Sequence, residues 1–424
     1  MTRADLPRNL ATARQVAAIA TAFALPLSTS AQAITVAIFA ILALLTLDRS
    51  RFNATLRRPA AWLPVALFAL IAAGTLWSMQ PFGAAVKWIA PYSKLLLIPL
   101  LLATAFTPRQ TLQVGFGFLA ACTILLALSW ASFLWPSGPW GWFKLPGVPV
   151  KDNAVQSGCF ALCAFALAIG AVRTWPQDRR RAAAIAVLAL LFLADIFLIY
   201  VSKTGAIMAA ALLGLFLLHV EGWRRVMLIA LPAMVVIAVA LWVSAPAQRK
   251  LAEISGDINA GSGGQETVST GARLDFWNKA KGFVMDAPLL GHGTGSIKPL
   301  YQSLEATRPS PYGEATPDPH NQFLHVVLQV GLVGGALLLA MWLAHARLFT
   351  GRDMASIIGQ AVVLQNVIGS LFNSHLSAVT QGMLYCLAVG LLGAMVRSVR
   401  TDAAGVGARP LPTPDSASAS GSAA

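Results

Sequence analysis

Long apolar runs recur along almost the whole chain, and many reach the roughly 20 residues that an α-helix needs to cross a bilayer. Hydrocarbon offers no water to backbone N–H and C=O groups. A spanning segment must therefore bond its own backbone as a helix, or close into a barrel. A barrel would show short alternating strands, whereas these runs are continuous. The expected class is an all-α polytopic membrane protein of about twelve transmembrane helices. Composition agrees: 57% of residues are hydrophobic and 11% charged, far from the balance of a soluble domain. The expected spans are 15–29, 31–47, 60–78, 88–105, 111–134, 154–172, 182–200, 205–219, 226–244, 321–345, 355–372 and 377–396.

A net charge of +14 on its own would suit a nucleic-acid partner, but the placement of the charges excludes it. Nineteen of the 31 Lys and Arg residues lie in short loops and tails expected on the cytoplasmic side. Arg49, Arg51, Arg57 and Arg58 follow the second span, Arg109 the fourth, and Arg173 with Arg179–Arg181 the sixth. Arg224 and Arg225 follow the eighth, Arg347 and Arg352 the tenth, and Arg397 with Arg400 the twelfth. Every even-numbered exit is basic, which is the positive-inside bias and puts both termini in the cytoplasm. The N-terminal region partly imitates a signal peptide, with Ala31-Gln32-Ala33 as a small-residue cleavage motif, but a retained first helix is expected. The four cysteines, Cys122, Cys159, Cys163 and Cys386, all fall in apolar runs, so they form neither a disulfide framework nor a zinc spacing.

The expected organisation is helices one to nine over 1–244, a large periplasmic loop over 245–320 with amphipathic helices, helices ten to twelve over 321–400, and a disordered cytoplasmic tail over 401–424. The loop carries Arg249, Lys250, Arg273, Lys279, Lys281, Lys298 and Arg308 on the side that should be poor in bases. Its 257–270 stretch is rich in Gly and Ser. Leu274–Ala280 then reads as an amphipathic helix whose apolar face can lie on the membrane surface while its bases face a groove. A solvated basic face, or a salt bridge from Arg273 to Asp275 or Asp286, is the plainer alternative. In Gly291-His292-Gly293-Thr294-Gly295 the alternate glycines can present N–H groups to a phosphate, but the Walker lysine and spacing are missing. A tight turn explains them as well, and His292 is expected to be exposed.

Pro317-Asp318-Pro319-His320-Asn321 is the sharpest local feature. Asp318 suits an N-cap and Pro319 a first helical position, which would put His320 in the first turn of a helix, facing outward. The positive end of that helix would favour a diphosphate nearby and a neutral imidazole. A merely structural histidine, bonded to Asp318 or Glu314, is the alternative. Lys203 lies at the outward end of the seventh span, where it can snorkel to water or neutralise an anion. Asp195 lies deeper and is expected to pair with a base. Lys87 and Lys94 flank the start of the fourth span, and Asn373 and His375 occupy the outward turn between the last two. One outward-facing cavity can collect His320, Arg273, Lys203, Asn321, Asn373, His375 and Lys87.

With these residues assembled, the chain resembles the O-antigen ligase and polymerase superfamily of bacterial inner-membrane proteins from about residue 10 to 396. The matching motifs are Arg273-Leu274-Asp275-Phe276-Trp277, Pro288-Leu289-Leu290-Gly291-His292-Gly293, and His320-Asn321-Gln322-Phe323-Leu324 followed by Gly331, Gly334 and Gly335. The resemblance implies a GT-C type glycosyltransferase architecture. It also implies transfer of O-antigen polysaccharide from undecaprenyl diphosphate to lipid A–core oligosaccharide on the periplasmic face. In that light His320 resembles the catalytic histidine and Arg273 the essential loop arginine. Lys203 stands where relatives commonly carry arginine, which keeps the charge but loses the bidentate fork.

The residues suit such chemistry independently, because glycosyl transfer needs a base for the acceptor hydroxyl and cations for the departing diphosphate. No Asp-x-Asp motif occurs, so a cofactor-free, metal-independent mechanism is expected, and one base without an obvious carboxylate nucleophile favours direct displacement with inversion. An O-antigen polymerase and an O-linked protein oligosaccharyltransferase share the donor and differ in acceptor. A lipid or sugar transporter is the rival of another class, but transporters bind at the bilayer midplane between repeats, whereas these polar residues gather at one face.

Overall fold

The computed structural model of the chain describes residues 5–104, 106–141, 143, 147–199, 202–222, 270–305 and 318–407. Among them the secondary structure is helical, without a β-strand. We number the helices α1 (Asp5–Leu27), α2 (Thr29–Leu45), α3 (Arg49–Leu56), α4 (Pro59–Trp77), α5 (Phe82–Ala103), α6 (Pro108–Leu134), α7 (Asn153–Thr174), α8 (Arg179–Ile199), α9 (Lys203–Val220), α10 (Thr270–Asp286), α11 (Ile297–Glu305), α12 (Gln322–Leu348), α13 (Met354–Ser370) and α14 (Val379–Gly407). Nine helices among the described residues are long and apolar enough to cross a membrane, or ten if α2 and α3, bent by 109°, count as one broken span. α13 is apolar but shorter. The expected span at 226–244, the Gly/Ser segment before Thr270, and Arg308 lie outside the described residues. α14 continues to Gly407, so helix extends past 401, where a disordered tail was expected.

Local sequence explains where these helices start. Ser28, Asp48, Asp152, Asp178, Ser202, Asn321 and Asp353 each accept a backbone N–H two or three places into the helix that follows. Thr107 and Gln110 make a reciprocal capping box before α6. The Ala31-Gln32-Ala33 motif lies inside α2, with Gln32 buried. In α5 half of the span, Val86–Leu96, is 3-10 helix, and Pro91 there has no N–H to give. Lys94 turns inward and donates to the carbonyls of Ser377 at 3.0 Å and Ala378 at 2.6 Å, tying α5 to the approach of α14.

α1 packs on α2 and α6, α7 on α8 and α9, α4 on α12, and α13 on α14. Within lipid this contact gains from close packing and interhelical hydrogen bonds, since lipid tails are as apolar as the side chains. Two bonds of that kind are Trp342 Nε1 to Asn366 Oδ1 at 3.1 Å and Gln365 Nε2 to the Gly158 carbonyl at 2.8 Å. Asp195, buried in a single π-helical turn of α8, does not meet a base; Gln156 Nε2 donates to its Oδ1 at 3.4 Å.

A second, smaller core forms where α10 and α11 cover the first half of α12. Ala272, Phe276, Ala280 and Phe283 form a helical stripe on α10 that packs on Ile297, Leu300 and Tyr301 of α11 and Leu328 of α12. α10 therefore packs this apolar stripe on protein, while Leu274 and Met285 stay exposed. The expected ion pair changes partner. Lys279, four residues after Asp275 and nearly buried, bonds its carboxylate at 2.9 Å, leaving Arg273 to other work.

α12 is broken at Val330 and Gly331, where Gly331 has φ 66°. The segment 288–296 fills the break. His292 N–H and Gly293 N–H donate to the Leu328 and Gln329 carbonyls, while Leu332 N–H and Val333 N–H donate to those of Pro288 and Leu289. The four helix groups freed by the break are thus satisfied from outside the helix.

Candidate active site

The break in α12 settles the glycine-rich segment first. Gly291, Thr294 and Ser296 N–H groups go to the Ala287, Gly74 and Gly293 carbonyls, and Gly295 N–H goes to Gln329 Oε1 at 2.8 Å. With His292 and Gly293 already placed, every N–H from 291 to 296 is used. None points to a phosphate, so the tight-turn reading holds. A side chain at Gly293 would strike the Ser78 backbone. His292 is half-buried, not exposed, and its Nε2–H donates to the Phe283 carbonyl at 2.7 Å. Beneath this turn Tyr92 OH lies 2.8 Å from His325 Nδ1, and Gln329 Nε2 donates to the His325 carbonyl at 2.7 Å.

His320 lies outside α12. Asn321 is the N-cap, its side chain accepting Leu324 N–H at 3.0 Å, and the helix begins at Gln322. Asp318 is drawn away from capping because its Oδ1 accepts His320 N–H at 2.9 Å and the Ser374 hydroxyl at 2.5 Å. His320 therefore stands in the bend before the helix, at φ 52°, and the helix-dipole argument for its protonation state does not apply.

A different contact sets its tautomer. His320 Nδ1 lies 3.1 Å from Asn373 Oδ1, and Ser374 N–H donates to the same oxygen at 3.2 Å, which orients the amide. An amide oxygen only accepts, so Nδ1 carries a proton, and in the neutral ring Nε2 keeps its lone pair. α10 supports the ring from one face. The Phe276 ring stacks on the imidazole, with centroids 6.5 Å apart and planes 24° apart. Trp277 Nε1 donates to the Pro319 carbonyl at 3.0 Å, and Phe276 is itself held by Tyr301 OH on its carbonyl at 2.8 Å.

Arg273 lies one turn before Phe276 and Trp277, on the same face of α10. Burial lowers its guanidinium from the usual arginine value, and the Asp318 carboxylate opposes that shift. Its buried Nε has no hydrogen-bond partner among the described residues. A half-buried cation with an unused donor, on the same helix face as the Phe276 that stacks on His320, can take an oxyanion.

Of the remaining sequence candidates, Asn373 is in the site, and Asn321 caps α12 while donating to the Leu371 carbonyl at 3.2 Å. His375 is 1% exposed and packs on Gly369, so it stands behind the site instead of lining an open cavity. Burial lowers its pKa to about 4, partly opposed by Asp318. Lys203 is exposed at the first position of α9, where Gly205 meets Ser157 one turn into α7. Lys87 is exposed on α5, next to Trp88, which packs on Gly295. Both lie at the end of the bundle that carries His320, but neither joins its hydrogen-bonded network. Asp318, Ser374, Phe276 and Trp277 were missed as site residues; the 273, 276 and 277 spacing was the available signal.

No curated protein matches the chain. The family model described as O-antigen ligase matches residues 188–339, a range that contains Lys203, Arg273, His320 and the α12 break and leaves out Lys87, Asn373 and His375. Residues 188–339 of this membrane protein are thus similar to the O-antigen ligase family, which supports an assignment among ligases and polymerases of that kind.

Proposed function

We propose that the chain is an inner-membrane O-antigen ligase. It transfers O-antigen polysaccharide from undecaprenyl diphosphate to lipid A–core oligosaccharide on the periplasmic face, with both termini cytoplasmic. The observation that carries this reading is the His320 Nδ1–Asn373 Oδ1 bond, which in the neutral ring leaves Nε2 free as a base, together with Arg273, whose buried Nε has no partner among the described residues. The acceptor hydroxyl oxygen attacks the anomeric carbon while its proton passes to His320 Nε2. The bond from that carbon to the diphosphate oxygen breaks, and the electron pair leaves with the diphosphate, held by Arg273. A single displacement of this form inverts the anomeric centre. Lys203 and Lys87, exposed on the same end of the bundle, supply positive charge for the approaching lipid-linked anion. Asn373 orients the base, and Asn321 holds the turn beside it. These cations take the role a divalent metal plays elsewhere.

Expression in a strain lacking its own ligase, with lipopolysaccharide resolved on a gel, tests the proposal. Glycan-capped lipid A–core should appear with the wild-type chain and vanish with His320→Ala. A change in glycan length alone would instead indicate a polymerase, and glycan on protein a protein oligosaccharyltransferase. Activity should survive excess chelator.

A further inference from the structure

Between α10 and α11 the chain passes through an elbow, 287–291, pressed into the break of α12. Two rulers give its depth. His292 N–H, next to the elbow, donates to the Leu328 carbonyl, roughly 9 Å along the unbroken first part of α12 from Gln322 at 1.5 Å per residue. The adjoining Thr294 donates to the Ile71 carbonyl, inside the α4 span. The elbow thus reaches the level of membrane-spanning helix.

Its carbonyls are equipped for that level. The carbonyls of Pro288, Leu289 and Leu290 accept Leu332 N–H, Val333 N–H and Trp77 Nε1–H. Those of His292 and Thr294 accept Met79 N–H and the Ser78 hydroxyl. The N–H groups of 291–296 are also paired, so the elbow's accepting groups meet the condition for irregular backbone at membrane depth, while the N–H groups of Leu289 and Leu290 have no partner among the described residues. Its side chains point the other way: Leu289 is 66% exposed and Leu290 52%. Their neighbours Leu332, Val333, Leu76 and Met79 are exposed too, and the Leu332 face continues along α12 to Leu339 and Leu343. Elbow and lipid-facing stripe form one apolar surface.

We propose that the 287–291 elbow is inserted in the bilayer, with Leu289 and Leu290 in contact with lipid acyl chains. The segment is thereby a membrane-seated part of the protein, not an aqueous loop, and this holds whether or not the chain is a ligase. Nitroxide labels on Leu289→Cys and Leu290→Cys, in nanodiscs of phosphatidylethanolamine and phosphatidylglycerol, test it through collisions with oxygen and with an aqueous nickel chelate. The four native cysteines are buried, so the wild-type chain sets the background. The oxygen-to-nickel ratio at both positions should approach that of Leu339→Cys and exceed that of Lys281→Cys severalfold. A ratio like that of Lys281→Cys overturns the proposal, as does low access to both agents, which would mean a protein cover. The unsubstituted chain gives a second reading. A diazirine on a phospholipid acyl chain should leave adducts on the peptide containing Leu289 and Leu290; adducts on 332–343 without any on the elbow would also overturn it.

Discussion

At φ 52° His320 sits in the left-handed region, where a non-glycine side chain is uncommon and is held only by its surroundings. The Asp318, Asn373 and Phe276 contacts supply that hold. Under the proposed mechanism His320→Ala should lower ligation by about 10²–10⁴ with unchanged expression and melting temperature. Loss of ligation with loss of folding would point to a structural role. Asn373→Ala frees the tautomer without removing the base, so it should lower turnover by a smaller factor, and Asn373→Gln should not fully restore it. His375 gives a pH test. Its folded value of about 4 is below the ordinary 6.5, so the unfolded chain binds the proton first as pH falls. Stability from the buried neutral ring is complete above about pH 6.5 and declines toward pH 4, by about 3 kcal/mol in all. Melting in detergent between those pH values should be less steep for His375→Gln than for wild type.

Single elements carry consequences that no one residue does. The broken α12 is held open by the 288–296 segment, and Gly331 is where they touch: a Cβ there would lie 2.0 Å from the Leu289 carbonyl oxygen. Gly331→Ala adds that collision to a positive φ and should destabilise by at least about 1–3 kcal/mol, read as a fall in melting temperature. On α10 the nearly buried Lys279 depends on Asp275. Asp275→Ala should cost roughly 3–5 kcal/mol, because it strands a buried ammonium. Asp275→Ala paired with Lys279→Met should recover most of that. Asp275→Ala alone loosens the helix that presents Arg273, Phe276 and Trp277, so it should also reduce ligation.

Across the whole molecule, the site depends on elements far apart in sequence meeting at one end of a bundle. Labelling with an impermeant maleimide tests the proposed sidedness. Lys203→Cys and Asn373→Cys should react in intact spheroplasts, and Arg352→Cys only after lysis. Much was legible without coordinates. The apolar runs announced helices because lipid permits little else, and spans such as 154–172 and 111–134 fall within α7 and α6. Arg273 and His320 stood out as polar groups in short motifs. What one-dimensional reading could not supply was competition among neighbours. Asp318 was a good N-cap by local rules, but Ser374, distant in sequence, and the His320 amide both claim its carboxylate, and Asn321 caps in its place. Gly291–Gly295 had the look of an anion cradle until the freed carbonyls of α12 took its amides. Thus the sequence by itself determined the helical class, the membrane residence and the candidate residue types, since each follows from local hydropathy and chemistry. Only the tertiary structure decided which acceptor His320 faces, which cation keeps a free donor and which histidine is buried. Those outcomes depend on hydrogen-bond partners and burial contributed from the far side of the fold.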